Sequence, residues 1–570
     1  MITEDLPSPE TGAWAVCTMQ ARKKWIDTPN KTIPKSVSPG AARTGVVRKN
    51  CRFGWAWTYY GLRLLPTGGK YARGCARESN NFEEAGVKTD DLKQKMISSS
   101  FWSSLESTAV QVLSFLVFMV LARLLQPDDY GILAVAMVFV TLVGAITGFG
   151  IQGAIVQIRE LHADHLNGGF WFSLATGALL YGLICAVAPW LASLYGEPEL
   201  EPVLFCLGLI GLFQSMGVVP SAILSRNFRY RYLAFRAVIS NLVGGVLGIT
   251  MAVYGYGVWA LVAQQMSQVI LRTLLTWFGA AWTPGLIISW APLKRLLSVG
   301  LYLMGSGFAN TLSRQTDNLL IGIFIGTREL GIYSIGYKVF ETVNGVMLGS
   351  VSRLGLPTFS RLQSNPQRLA NAYHRAWTVG AALTLPVFML ILLTAPELVP
   401  FLFGEQWRDS AVVLQLLMVA SCCRSLTNFD STLLVACGRP RLAFRLTLAR
   451  TLLSIAGFAI AVQWGINAIA AVVAIVAVTM LPLWKFAVAR CTSATLSQAK
   501  TQLVSLGIGL LLLGGSVVLV AGLLPAVQVP YKIAAQWACG LFVYWASVCG
   551  LDTFLRAGLQ ELLHLGVGRP

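Results

Sequence analysis

Four ionisable side chains stand inside stretches that otherwise read as membrane-spanning: Arg314 and Asp317, then Lys338 and Glu341. A charge near the bilayer centre costs at least ~2.5 kcal/mol on insertion scales, so side chains kept at that depth serve a purpose. Asn310, Arg314, Asp317 and Ile321 are spaced by four, three and four residues, which puts them on one helix face. Arg314 lies 12 residues before the turn at Gly326, or ~18 Å at 1.5 Å per residue. Two kinds of chemistry fit. Arg314/Asp317 and Lys338/Glu341 are either internal ion pairs that lock helices together, or groups lining a water-filled cleft, where the basic members attract an anion and the acidic ones tune or couple.

Arg424, Asp430 and Arg450 extend this set, whereas Arg123, Arg272 and Lys485 sit near span ends, where snorkelling is expected. A substrate cavity is therefore expected from Arg314, Lys338, Arg424, Arg450, Asn310 and Asn318, and ion coupling from Asp317, Glu341 and Asp430. Gln111, Asn241, Gln264 and Gln265 are candidates either for sugar hydroxyls or for helix-to-helix hydrogen bonds.

The elements that position these groups are membrane helices. Apolar residues make up 55% of the 570 positions and charged residues 12%, against roughly a quarter charged in a soluble domain; mean hydropathy is +0.62. Runs of about 20 apolar residues cross a core of about 30 Å. Fourteen such spans are expected, near 101–125, 130–156, 168–195, 203–225, 232–254, 257–280, 296–325, 330–353, 376–402, 411–437, 441–464, 466–489, 502–524 and 533–555.

The net charge of +18 is split between +7 in residues 1–95 and +11 in the rest, where it falls mostly in short loops. That is a topology signal, and it argues against nucleic acid as a partner. Alternate connections are basic (Arg226, Arg229, Arg231 and Arg236; Arg439, Arg441 and Arg445) or acidic (Asp128 and Asp129; Glu197, Glu199 and Glu201). The positive-inside rule makes the basic set cytoplasmic and places both termini inside.

Residues 1–95 are rich in Pro, Gly, Lys and Arg without a signal-peptide pattern, and are expected to be a disordered basic tail. A natural start near Val87 or Met96 and a genuine extension are both open. The eleven cysteines and four histidines show no metal-ligand spacing, and no Walker-type loop is present. No cofactor is expected, and energy would come from an ion gradient or the membrane potential.

Leu125–Ile132 and Ile325–Ile332 occupy equivalent places at an offset of 200, and the segments at Leu233–Arg236 and Leu442–Arg445 repeat at 209. The chain is thus expected to be an all-α polytopic protein with a six-helix lobe at 96–280, a second at 281–490 related by an axis along the membrane normal, and two extra helices within 491–570.

The runs FLVFMVLARLLQPDDYGILAVAMVF, GFGIQGAIVQ, YGYGVWALVAQQ, SRQTDNLLIGIFIG, LGIYSIGYKV and LLVACGRPRL, in this order across nearly all of 96–565, resemble the Wzx-type polysaccharide flippases. The match is to the WzxC-like branch within the multidrug/oligosaccharidyl-lipid/polysaccharide superfamily. The resemblance implies a V-shaped two-lobed bundle in a bacterial inner membrane that moves an undecaprenyl-diphosphate-linked oligosaccharide outward by alternating access. It implies a cavity role for Arg314 and Asp317, which match the SRxxDN pattern, and partners among membrane lipids, the lipid-linked glycan, and polysaccharide polymerase and export machinery. The long tail departs from the family. A cation-coupled multidrug or metabolite exporter is the alternative within transport; a polysaccharide polymerase or ligase would need a large outer loop, and none is expected here.

Overall fold

The chain divides into two units, residues 1–87 and 88–570. The computed structural model describes residues 89–551 apart from 159–160, 287–289, 353–358, 360–361, 363–365, 492–495 and 526. The tail up to residue 88, with its three cysteines, and His564 lie outside the described residues.

Among the described residues the fold is helical, without strands. The first half holds α1 (Thr89–Leu124), α2 (Pro127–Gln157), α3 (Ala163–Tyr195), α4 (Leu200–Arg226), α5 (Tyr230–Val253) and α6 (Val258–Ala280). The second holds α7 (Trp290–Phe324), α8 (Thr327–Ser352), α9 (Pro366–Phe403), α10 (Ser410–Thr427), α11 (Asp430–Ala436), α12 (Pro440–Ala461) and α13 (Ile466–Ala489). Two further helices follow, α14 (Leu496–Leu523) and α15 (Val529–Leu551).

Helices occupy the places of the expected spans, and eleven stretches of the described residues are long and apolar enough to cross a membrane. α6, α7 and α8 are not among them: Gln264, Gln265, Gln268 and Arg272 dilute α6, and Arg314, Asp317, Lys338 and Glu341 fall in α7 and α8. α1 starts at Thr89, within the last residues of the segment expected to be disordered, and the span expected at 411–437 is present over Ser410–Ala436, with a turn at Asn428–Phe429 between α10 and α11.

Boundaries follow local chemistry. Pro127 opens α2, while Asp129 reaches back to accept the Gln126 N–H at 2.9 Å. Gly196, at φ +68°, closes α3. Several basic residues near the membrane ends satisfy helix-terminal carbonyls. Arg226 Nη1 donates to the carbonyl of Ile155 at 2.9 Å, at the end of α2, and Arg229 Nη1 to that of Gly279 at 2.8 Å, at the end of α6. Arg236, expected in a loop, lies instead in the second turn of α5, buried, where it donates to Ser221 Oγ at 3.2 Å and to Thr276 Oγ1.

The main core gathers Leu121, Tyr130, Leu204, Tyr333, Phe340, Phe403 and Trp407 from both halves. α14 and α15 join it through α9: Tyr544 OH donates to the Ala382 carbonyl at 3.1 Å, and Lys532 Nζ lies 2.6 Å from Glu397 Oε1. Leu179, Phe278, Leu511 and Phe542 are largely exposed, as side chains of a membrane bundle that face hydrocarbon must be.

Candidate functional site

The two repeated loops meet each other. A Cβ on Gly131 would lie 2.0 Å from the Thr327 carbonyl oxygen, and one on Gly331 would lie 2.0 Å from that of Pro127. Only glycine lets the two backbones come this close. Arg328 Nη1 lies 3.0 Å from Asp128 Oδ2 across the same junction. Thr327 Oγ1 donates to Glu197 Oε1 at 2.6 Å. The contact is reciprocal, residue i touching j and the counterpart of j touching that of i, as in an isologous interface.

At the same end the C-termini of α1 and α9 cap one another. Arg123 Nε donates to the Leu402 carbonyl at 2.8 Å and its Nη2 to that of Phe401, while Trp407 Nε1 and Gln406 Nε2 donate to the Ala122 carbonyl at 2.8 and 2.9 Å. Edge-to-face contacts of Tyr130 with Phe118 and Trp407 fill the space between, with centroids 5.3 and 5.4 Å apart. Arg123, exposed at the span end, therefore caps a helix.

Beneath this closed end lie the charges. Of the two alternatives, pairing within each helix does not occur; the ion pair runs between helices, Arg314 Nη2 to Glu341 Oε1 at 2.7 Å. Asp317 turns away from Arg314 into the core, where its Oδ2 accepts from Tyr333 OH at 3.0 Å. Tyr333 stacks on Tyr337, with centroids 5.8 Å apart, and Arg424 sits 4.7 Å over the Phe340 ring. Arg424 is within electrostatic range of Arg314, Arg450, Tyr337 and Glu341. Ser313 Oγ to Thr451 Oγ1 at 3.3 Å ties α7 to α12 beside Arg450, and Asn344 Nδ2 to Ser421 Oγ at 2.8 Å ties α8 to α10. Arg314 and Glu341 thus pair directly, Arg424 feels the charges of both and of Arg450, and Asp317 is turned into the core.

Arg314 and Glu341 keep 61% and 40% of their side-chain surface exposed. At this depth a charge so exposed demands water or polar ligand beside it, because hydrocarbon cannot solvate it.

Other candidates are placed apart. Lys338 points to the first half, its Nζ 6.0 Å from the Phe118 ring. Asn310 is exposed. Asn318 donates to Gln315 Oε1 at 2.7 Å, and Gln315 Nε2 donates to Thr141 Oγ1 on α2 at 3.3 Å. Asp430 lies six residues after Arg424, beyond the helix break, and is fully buried against Lys485 at 3.0 Å and Tyr373 OH at 2.6 Å. Lys485, expected to snorkel, is held inside. Asn241 bonds Ser114 Oγ at 2.6 Å, the helix-to-helix role. A cavity lined by Arg226, Asn227 and Trp282 touches none of the candidates.

Sequence reasoning missed Tyr333 and Tyr337. Their spacing of four, continued to Glu341, marked the face that meets Asp317 and Arg314. It also missed Tyr373, and the partnership of Lys485 with Asp430, because these groups come from distant helices and carry no local signal.

Residues 120–412 match the family described as polysaccharide biosynthesis protein. The chain is similar to the succinoglycan biosynthesis transport protein ExoT of Rhizobium meliloti, 29% identical over 323 residues, or 56% of this chain and 65% of that protein. It is also similar to the lipopolysaccharide biosynthesis protein WzxC of Escherichia coli, 24% identical over 65% of this chain and 76% of that one. Among solved structures, the lipid II flippase MurJ in an inward closed conformation has a TM-score of 0.65 at 12% identity, covering 82% of this chain and 98% of its own. An inward-facing multidrug resistance MATE family transporter has a TM-score of 0.53 at 17% identity, over 67% and 95%. The likeness to these two structures establishes the fold, a bundle of membrane-spanning helices.

Proposed function

The chain belongs to the polysaccharide biosynthesis protein family, and we propose that it is a flippase that moves an undecaprenyl-diphosphate-linked oligosaccharide across the bacterial inner membrane for capsule, exopolysaccharide or O-antigen synthesis. The names of its relatives support transport in polysaccharide synthesis. The observation that carries the proposal is the convergence of Arg314, Arg424 and Arg450, with Glu341 as the one carboxylate paired among them, at membrane depth. Planar guanidinium groups suit phosphate oxygens, and three of them offset the desolvation of a diphosphate that hydrocarbon would exclude. The same surplus of positive charge disfavours a cationic drug as cargo.

In this reading residues 96–280 and 281–490 act as two lobes related by an axis along the membrane normal, with the two C-terminal helices in 491–570. They rock about the end where Gly131 meets Thr327 and Gly331 meets Pro127. The basic connections put both termini in the cytoplasm, so that end faces the periplasm. The glycan and diphosphate ride in the cleft while the lipid tail stays in the bilayer. Arg314, Arg424 and Arg450 bind the anion, with Lys338, Asn310 and Asn318 further along the path; Asp317, Glu341 and Asp430 couple transport to an ion. The protein makes and breaks no covalent bond, and a polymerase and export machinery take its product.

The test is deletion followed by leaflet-resolved analysis of lipid-linked glycans. Accumulation of the intermediate on the cytoplasmic face is expected. Normal translocation with shortened chains would indicate a polymerase instead.

A further inference from the structure

Where α10 gives way to α11, four groups converge on one cation inside the bundle. The Leu426 carbonyl, in the last turn of α10, accepts from Trp377 Nε1 at 2.8 Å and from Lys485 Nζ at 2.5 Å. Asp430, at the start of α11, is fully buried; its Oδ1 accepts from Tyr373 OH at 2.6 Å and from Lys485 Nζ at 3.0 Å. The same ammonium donates to Tyr373 OH at 3.0 Å and stands 5.1 Å from the centre of the Trp377 ring. Asp430 Oδ2 is buried and has no hydrogen-bond partner.

A carboxylate, a backbone carbonyl and a hydroxyl around one positive charge is an oxygen donor set of the kind that holds a coupling cation among transmembrane helices. Here the cation is tethered. We infer that this cage is a monovalent-cation site in which the Lys485 ammonium takes the place of a metal ion, so that the exchangeable particle is a proton. Its part in coupling rests on the transport reading above; the cage itself does not.

The exchange is a simple protonation. A proton adds to Asp430 Oδ2, forming one O–H bond and breaking none in the protein, and the pair passes from net zero to a single positive charge. The Lys485 ammonium then loses its counter-charge and is free to leave the cage. The titratable groups facing the pair are Tyr373 and His374 from α9, with Asp430 from α11 and Lys485 from α13; His374 feels the Lys485 charge.

Sodium binding by the purified full chain tests this, with choline as the control ion at fixed pH. The wild type should show no saturable sodium binding. Lys485→Ala, which vacates the cage, should gain one site per chain, and Lys485→Ala/Asp430→Asn should lose it. Saturable binding by wild type that disappears in Asp430→Asn overturns the inference, as does a folded Lys485→Ala protein that binds none. Should Lys485→Ala fail to fold, Lys485→Ser is measured in its place and wild type still decides the first arm. Glycan export measured alongside separates the two readings: translocation unaffected by deletion of the protein, together with a sodium-binding Lys485→Ala protein, removes the flippase and leaves the cage.

Discussion

Asp128 and Arg328, 200 positions apart in the chain, meet at 3.0 Å between Oδ2 and Nη1. Both side chains are about half exposed or more, so the pair contributes at most ~1 kcal/mol to stability. What it marks is the junction at which the two copies of a repeated loop touch.

The junction depends on the absence of a side chain. Gly331→Ala would put a Cβ 2.0 Å from the Pro127 carbonyl oxygen, and separating the backbones costs of order 1–3 kcal/mol or more. Reduced thermal stability and export are expected. Gly349→Ala on the same helix, where a Cβ meets nothing within 4 Å, should leave both unchanged. Thermal unfolding of the two purified variants checks the contrast.

Trp407 anchors the cross-capped ends of α1 and α9. It is fully buried and donates to the Ala122 carbonyl. Trp407→Ala should cost about 3–5 kcal/mol and remove most of the protein from the membrane. Trp407→Phe keeps most of the packing and should cost less, roughly the hydrogen bond at ~1 kcal/mol with some lost contact. Abundance in membrane fractions ranks the pair.

Much of this was legible in the chain and some was not. Apolar run length located the helices because a bilayer imposes length, and the two loops at an offset of 200 identified segments that meet in space. The depth of Arg314 and Glu341 was readable from spacing; their partnership was not, because it depends on how α7 rotates against α8. The turn after Thr427 carries no glycine or proline to mark it, so Asp430 reads as a neighbour of Arg424 although it faces α9 and α13.

Tyr333 holds the buried carboxylate of Asp317 by a 3.0 Å hydrogen bond. Tyr333→Phe leaves that oxygen without its donor and should destabilise the protein by about 1–3 kcal/mol. Asp317→Asn in the same background removes the charge and should recover part of the loss. A double-mutant cycle in thermal stability measures the coupling; additive effects would show that the bond contributes nothing.

The role of the arginine cluster is tested most directly by leaflet-resolved measurement of lipid-linked glycan in cells carrying Arg314→Ala at wild-type protein level, with Arg314→Lys beside it. The alanine variant should hold the intermediate on the cytoplasmic face, and the lysine variant should release part of it. Wild-type translocation by Arg314→Ala would contradict an anion-binding cavity and leave Arg314 and Glu341 as an ion pair that only joins α7 to α8.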